Sequence, residues 1–123
     1  MFDVSVIDFE VPKNVAESVY DALEAVRGSG SIKKGVNEAT KAVERGTAKL
    51  VVIAEDVSPP EIVMHIPVLC KEKKIPYISV PNKQELGKAV GIEVSTAAVA
   101  VQETGKGKKE VEDIVKKIND LQK

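Results

Sequence analysis

The sequence predicts an α/β fold, a three-layer α-β-α sandwich with a central mixed sheet of about four strands. Amphipathic helical patterns alternate with short apolar runs along the chain. Leu50-Val51-Val52-Ile53-Ala54 is continuously apolar and of strand length, as expected of a strand covered on both faces. Glycine and proline stand where one pattern gives way to the next. With 123 residues and neither linker nor repeat, one domain over residues 1–123 is expected.

The elements follow in order. Val15, Val19, Leu23 and Val26 step by four, four and three, with Pro12 before them and Gly28 after. That pattern predicts an amphipathic helix with proline in its first turn and glycine past its end. Gly28-Ser29-Gly30-Ser31 is a loop leading into a short extended piece around Ile32 and Lys33. Val36, Ala39, Ala42 and Val43 then mark one face of a short helix stopped by Gly46.

Lys49 to Glu55 holds the central strand. Ser58-Pro59-Pro60-Glu61 opens the next helix, with Ser58 as cap. Its buried stripe is Ile62, Val63, Ile66, Leu69 and Cys70, and Pro67 is expected to kink or divide it. A strand from Pro76 to Pro81 is fenced by prolines, and Asn82 caps a short helix from Lys83 to Val90, ended by Gly91. Ser95 to Val101 reads as a small, β-branched strand, and Val111, Ile114, Val115, Ile118 and Leu121 as the stripe of a terminal helix.

Composition narrows the function. A lone cysteine, Cys70, precludes an intrachain disulfide and four-cysteine zinc sites, and is expected to be a small buried hydrophobe. Aromatics are Phe2, Phe9, Tyr20 and Tyr77, with no Trp, too few for a base-stacking platform. No apolar run approaches the roughly 18–20 residues that span a bilayer. Met1-Phe2-Asp3-Val4-Ser5 lacks the basic start and apolar stretch of a signal peptide, so a soluble, cytoplasmic protein is expected.

The formal net charge of −1 hides an asymmetry. Residues 1–26 set Asp3, Asp8, Glu10, Glu17, Asp21 and Glu24 against Lys13, for a net of −5. Residues 27–49 set Arg27, Lys33, Lys34, Lys41, Arg45 and Lys49 against Glu38 and Glu44, for a net of +4. A basic face opposite an acidic one fits that distribution, as does scattered solvated charge.

Catalytic motifs fail one by one. Gly30-Ser31-Ile32-Lys33-Lys34-Gly35 has the glycine spacing of a phosphate-binding loop, but Val36-Asn37 follow where Lys and Ser/Thr are required. Gly105-Lys106-Gly107-Lys108-Lys109 lacks the spacing and reads as a mobile turn. Glu55 and Asp56 end the central strand, a common place for catalytic carboxylates, but no histidine or second acidic cluster stands at a recognisable spacing. His65, the single histidine, lies beside an apolar stripe. No enzyme, cofactor or metal site is expected.

The segment from Lys33 to Gly46 has more to offer. On a helix Lys34, Glu38, Lys41 and Arg45 share one face, at spacings of four, three and four. Gly35 removes a side chain where helix-start amides can meet a phosphate. Asn37, both donor and acceptor, suits bidentate reading of a base edge. A plain solvated helix, with Asn37 as its cap and Glu38 weakly paired to Lys41, fits equally. In Gly87-Lys88-Ala89-Val90-Gly91-Ile92-Glu93-Val94, Ile92 and Val94 either enter the core or form an exposed apolar lip for an unstacked base.

The segments Ile32 to Lys41, Leu50 to Asp56 and Pro59-Pro60-Glu61-Ile62, followed by the proline-bounded strand and Glu85-Leu86-Gly87, resemble the archaeal large-subunit ribosomal protein family seven-A-e. The resemblance spans roughly residues 12 to 120, and its most specific part is Gly35-Val36-Asn37-Glu38 with Lys41. It implies binding to kink-turns, internal RNA loops bent at tandem sheared G·A pairs. Asn37 and Glu38 would read purine edges, while Lys34, Lys41 and Arg45 hold converging phosphates beside Lys33 and Gly35. Ile92, Glu93 and Val94 would pack on a flipped-out nucleotide, and Lys83 would add a backbone contact. The implied RNAs are ribosomal RNA, box C/D and H/ACA guide RNAs and ribonuclease P RNA. The implied partners are other ribonucleoprotein subunits, the free protein being monomeric. An adaptor that docks acidic proteins, with incidental RNA binding, is the competing expectation.

Overall fold

The computed structural model describes residues 11–59 and 61–121. The sequence readings on Met1 to Phe9 and on Pro60 lie outside them. The chain runs α1 (Lys13–Arg27), β1 (Ser31–Lys34), α2 (Val36–Glu44), β2 (Leu50–Ala54), α3 (Glu61–Lys73), β3 (Tyr77–Val80), α4 (Lys83–Ala89), β4 (Ala98–Glu103), a 3₁₀ turn (Gly105–Gly107) and α5 (Lys108–Leu121).

Four strands form one mixed sheet in the order β1-β4-β2-β3. β2 and β3 are parallel, joined by the α3 crossover, and β4 runs antiparallel to both β1 and β2. α1 packs with α4 and α5, and α2 packs with α3 and against β1 and β4. The expected α-β-α sandwich is the result. Every residue of β2 is buried, as its unbroken apolar run requires. Val19, Leu23 and Val26 of α1 and Ile114 and Ile118 of α5 complete the core. Each such side chain contributes roughly 1.5–3 kcal/mol by leaving water.

Several expectations need correction. Of the kink or division expected at Pro67, the division does not occur, because α3 is one helix from Glu61 to Lys73. Pro67 is buried beside Val63, Ile66 and Cys70, and that packing retains the helix despite the lost amide. Ile62 is 44% exposed, because its helical phase places it at the edge of this stripe, where it lines the groove beside α2 and not the core. β4 begins at Ala98, three residues after the expected Ser95, and extends to Glu103. Gly105 to Gly107 is a packed turn, not a mobile one. A side chain at Gly107 would collide with Val26 of α1, and the Lys106 N–H donates to Ser29 Oγ at 2.8 Å.

Candidate RNA interface

One end of the sheet collects most of the candidate residues. There the carboxyl ends of β1, β2 and β3 meet the start of β4. The Gly35 N–H donates to the Ala98 carbonyl at 2.8 Å, and the Ala54 N–H to the Ala97 carbonyl at 2.8 Å. The Glu55 N–H reaches the Val80 carbonyl at 2.8 Å. The Lys83 N–H donates to Asp56 Oδ1 at 2.8 Å, and the Lys83 carbonyl accepts from Thr96 N–H at 3.2 Å. Lys33 and Lys34, Gly35, the first turn of α2, Lys83 and the loop 92–94 therefore border one surface.

Gly35 is the N-cap of α2, at φ 96 and ψ 157. Only glycine adopts this region without strain. It breaks the helical path between Lys34 and Val36, so Lys34 ends β1 and is not on the helix. Arg45 is the C-cap at the far end of α2, roughly 15 Å along the axis from Gly35 at 1.5 Å per residue. The expected single helix face thus reduces to Glu38 and Lys41, and Arg45 is not brought to the sheet end with the rest.

Among the described residues no side chain caps α2, and no hydrogen bond reaches the amides of Val36, Asn37 and Glu38. Asn37 is the second helical residue rather than the cap, exposed, with no side-chain hydrogen bond among the described residues. Glu38 Oε2 and Lys41 Nζ lie 3.7 Å apart, each side chain about half exposed, so their pairing is weak and easily surrendered to a ligand. Lys34 is exposed and Lys33 half-buried beside them.

The two readings of the 92–94 loop both hold in part. Ile92 packs partly against the core, while Val94 is 69% exposed and Glu93 points to solvent. The loop's apolar lip is therefore Val94.

Two features were not legible from the sequence. Thr40 Oγ1 and His65 Nε2 lie 2.9 Å apart, joining α2 to α3. With Val36, Asn37, Lys41, Glu44 and Ile62 they line a groove of about 490 Å³. No short-range pattern links residues 25 apart. The strand-end carboxylates hold the fold together: Ser79 Oγ donates to Glu55 Oε1 at 3.0 Å, and Asp56 ties down the start of α4. Cys70 is fully buried, and burial pushes its thiol up to about 12. Among the described residues no group of three or more His, Cys, Asp and Glu could hold a metal ion, and no helix is long and apolar enough to cross a membrane.

The family model of the ribosomal protein L7Ae/L30e/S12e/Gadd45 family matches residues 17–111. Among solved structures, one titled Giardia lamblia 15.5kD RNA binding protein is similar over 98% of this chain and 99% of that chain, with 34% sequence identity and a TM-score of 0.85.

Proposed function

Since the chain belongs to the ribosomal protein L7Ae/L30e/S12e/Gadd45 family, we propose that it is a non-catalytic RNA-binding protein that recognises kink-turns. The observation that carries this reading is the uncapped, glycine-led start of α2. It presents free amides, the unengaged Asn37 side chain and nearby lysines on one surface. The name of the similar Giardia protein supports RNA as the ligand.

In this mechanism Asn37 and Glu38 read the exposed edges of sheared purine pairs. Lys33, Lys34 and Lys41, with the α2 amides behind Gly35, neutralise phosphates crowded by the bend. Lys83 adds a backbone contact, and Arg45 meets a phosphate from the far end of α2. Val94, with Ile92 and Glu93, supports the flipped-out nucleotide. The protein favours the bent state only by its differential affinity for it. With about four phosphate contacts, the log–log salt slope is expected near −3 to −4.

The finer assignment follows the resemblance to the archaeal seven-A-e branch. It covers ribosomal RNA, box C/D and H/ACA guide RNAs and ribonuclease P RNA, a cytoplasmic location and a monomeric free state. Exposed Ile62 in the α2 groove, with exposed Met64 and Val68 elsewhere on α3, supports a platform for other ribonucleoprotein subunits. The deciding experiment titrates a kink-turn RNA against a fully paired duplex of equal length. Strong preference for the kink-turn is expected. Equal binding would leave a merely electrostatic protein or an adaptor.

A further inference from the structure

The loop bearing Val94 is fastened to α4 along its length. Gly87 is buried, and a Cβ there would fall on the Val94 carbonyl, so bare glycine lets the loop backbone lie against the helix. The Ile92 N–H donates to the Gly87 carbonyl at 3.0 Å. At the end of α4, Arg27 reaches across from the last residue of α1, and its Nη1 donates to the Lys88 carbonyl at 2.8 Å. That same carbonyl accepts from the Gly91 N–H at 3.1 Å and shares the Val90 N–H with the Leu86 carbonyl. The Arg27 Cδ stands 3.4 Å from where a Cβ on Gly91 would be, and Gly91 is at φ +85. One arginine thus holds both the negative end of α4, through its guanidinium on the Lys88 carbonyl, and the turn from which Ile92 to Val94 depart, through its stem beside Gly91.

We propose that Arg27 is a positioning residue for RNA recognition, clamping the Lys88 carbonyl and the Gly91 turn so that the Val94 lip is preformed. The inference rests on the kink-turn reading above. A lip ordered before RNA arrives spares the complex the entropy of ordering it on binding. Arg27 therefore acts through Val94 and not through a phosphate.

Arg27→Met keeps an aliphatic stem beside Gly91 and removes the donor, whereas Arg27→Lys keeps a donor. Arg27→Met should weaken kink-turn binding by about three- to tenfold, and Arg27→Lys by less than about twofold. The salt slope and duplex affinity should stay as in the wild type. In a Val94→Ala background the Arg27→Met penalty should largely vanish, since the two side chains act in series. Unchanged affinity in Arg27→Met overturns the proposal, as does an undiminished penalty in the Val94→Ala background. A slope reduced by about 0.7–0.9 would make Arg27 a phosphate ligand instead. Amide exchange of the free protein separates this inference from the RNA reading. Faster exchange at Ile92 in Arg27→Met, with the global melting temperature held, supports the clamp even if kink-turn and duplex bind alike. Unchanged exchange removes it even if kink-turn preference stands.

Discussion

Two helices start at the same end of the sheet, and their first turns are built in opposite ways. At α4 every early amide is met. Asn82 Oδ1 accepts from the Gln84 and Glu85 amides at 2.8 and 3.0 Å, and Asp56 Oδ1 from the Lys83 amide at 2.8 Å. Tyr20 closes the cap from α1, its hydroxyl donating to the Asn82 carbonyl and accepting from the Asn82 N–H, both at 3.3 Å. At α2 the cap is Gly35, no side chain among the described residues closes the end, and Asn37 is exposed with its side chain unbonded there. With glycine at the cap, forgoing the side-chain hydrogen bond sacrifices only roughly a few tenths of a kcal/mol of stability. The difference teaches that an asparagine near a helix start serves the fold when it stands at the cap, and is left available for a ligand two residues later.

Substitutions at both helix starts can sharpen or break that contrast. Gly35→Ala should cost about 1–3 kcal/mol in a urea melt, because the added methyl meets no atom within 4 Å and the penalty is purely conformational. A loss below about 0.5 kcal/mol would mean that the backbone there relaxes freely. Asn37→Ala should reduce kink-turn affinity by about 1–3 kcal/mol while stability moves by less than about 0.5 kcal/mol. Asn82→Ala should do the reverse, costing about 0.5–2 kcal/mol of stability with a smaller effect on RNA. If the two alanine variants behave alike in both measurements, the contrast between the helix starts is wrong.

Lys41→Ala should lower the magnitude of the salt slope by about 0.7–0.9, the signature of one lost phosphate contact. An unchanged slope would strike Lys41 from the phosphate ligands. The smallest effect concerns Tyr20, whose phenol is raised above its ordinary 10.0, first by burial and then by nearby Glu85, Asp56 and Glu55, against the Asn82 backbone bond. A raised folded-state value favours the neutral phenol. Its contribution is therefore complete below pH 10 and fades as pH rises through the folded value. Chemical denaturation between pH 9 and 11 should show a shallower decline in Tyr20→Phe than in the wild type; parallel curves would remove Tyr20 from the cap's energetics.

The sequence by itself determined the order and kind of the elements and which faces enter the core. Val15, Val19, Leu23 and Val26 at helical spacing, and the unbroken run Leu50 to Ala54, leave few other ways to bury that much apolar surface. It also singled out Gly35, Asn37, Glu38 and Lys41, because glycine, amide and charge at those intervals are local patterns. Other features were decided only by tertiary structure. Burial, not propensity, kept α3 whole through Pro67, and the break at Gly35 moved Lys34 off the helix while Arg45 stayed at its distant end. The meeting of Gly35 with Ala98, of Asp56 with Lys83 and of Arg27 with Lys88 joins residues 27 to 63 positions apart. Such contacts depend on how the strands are ordered in the sheet, and no local periodicity encodes that order.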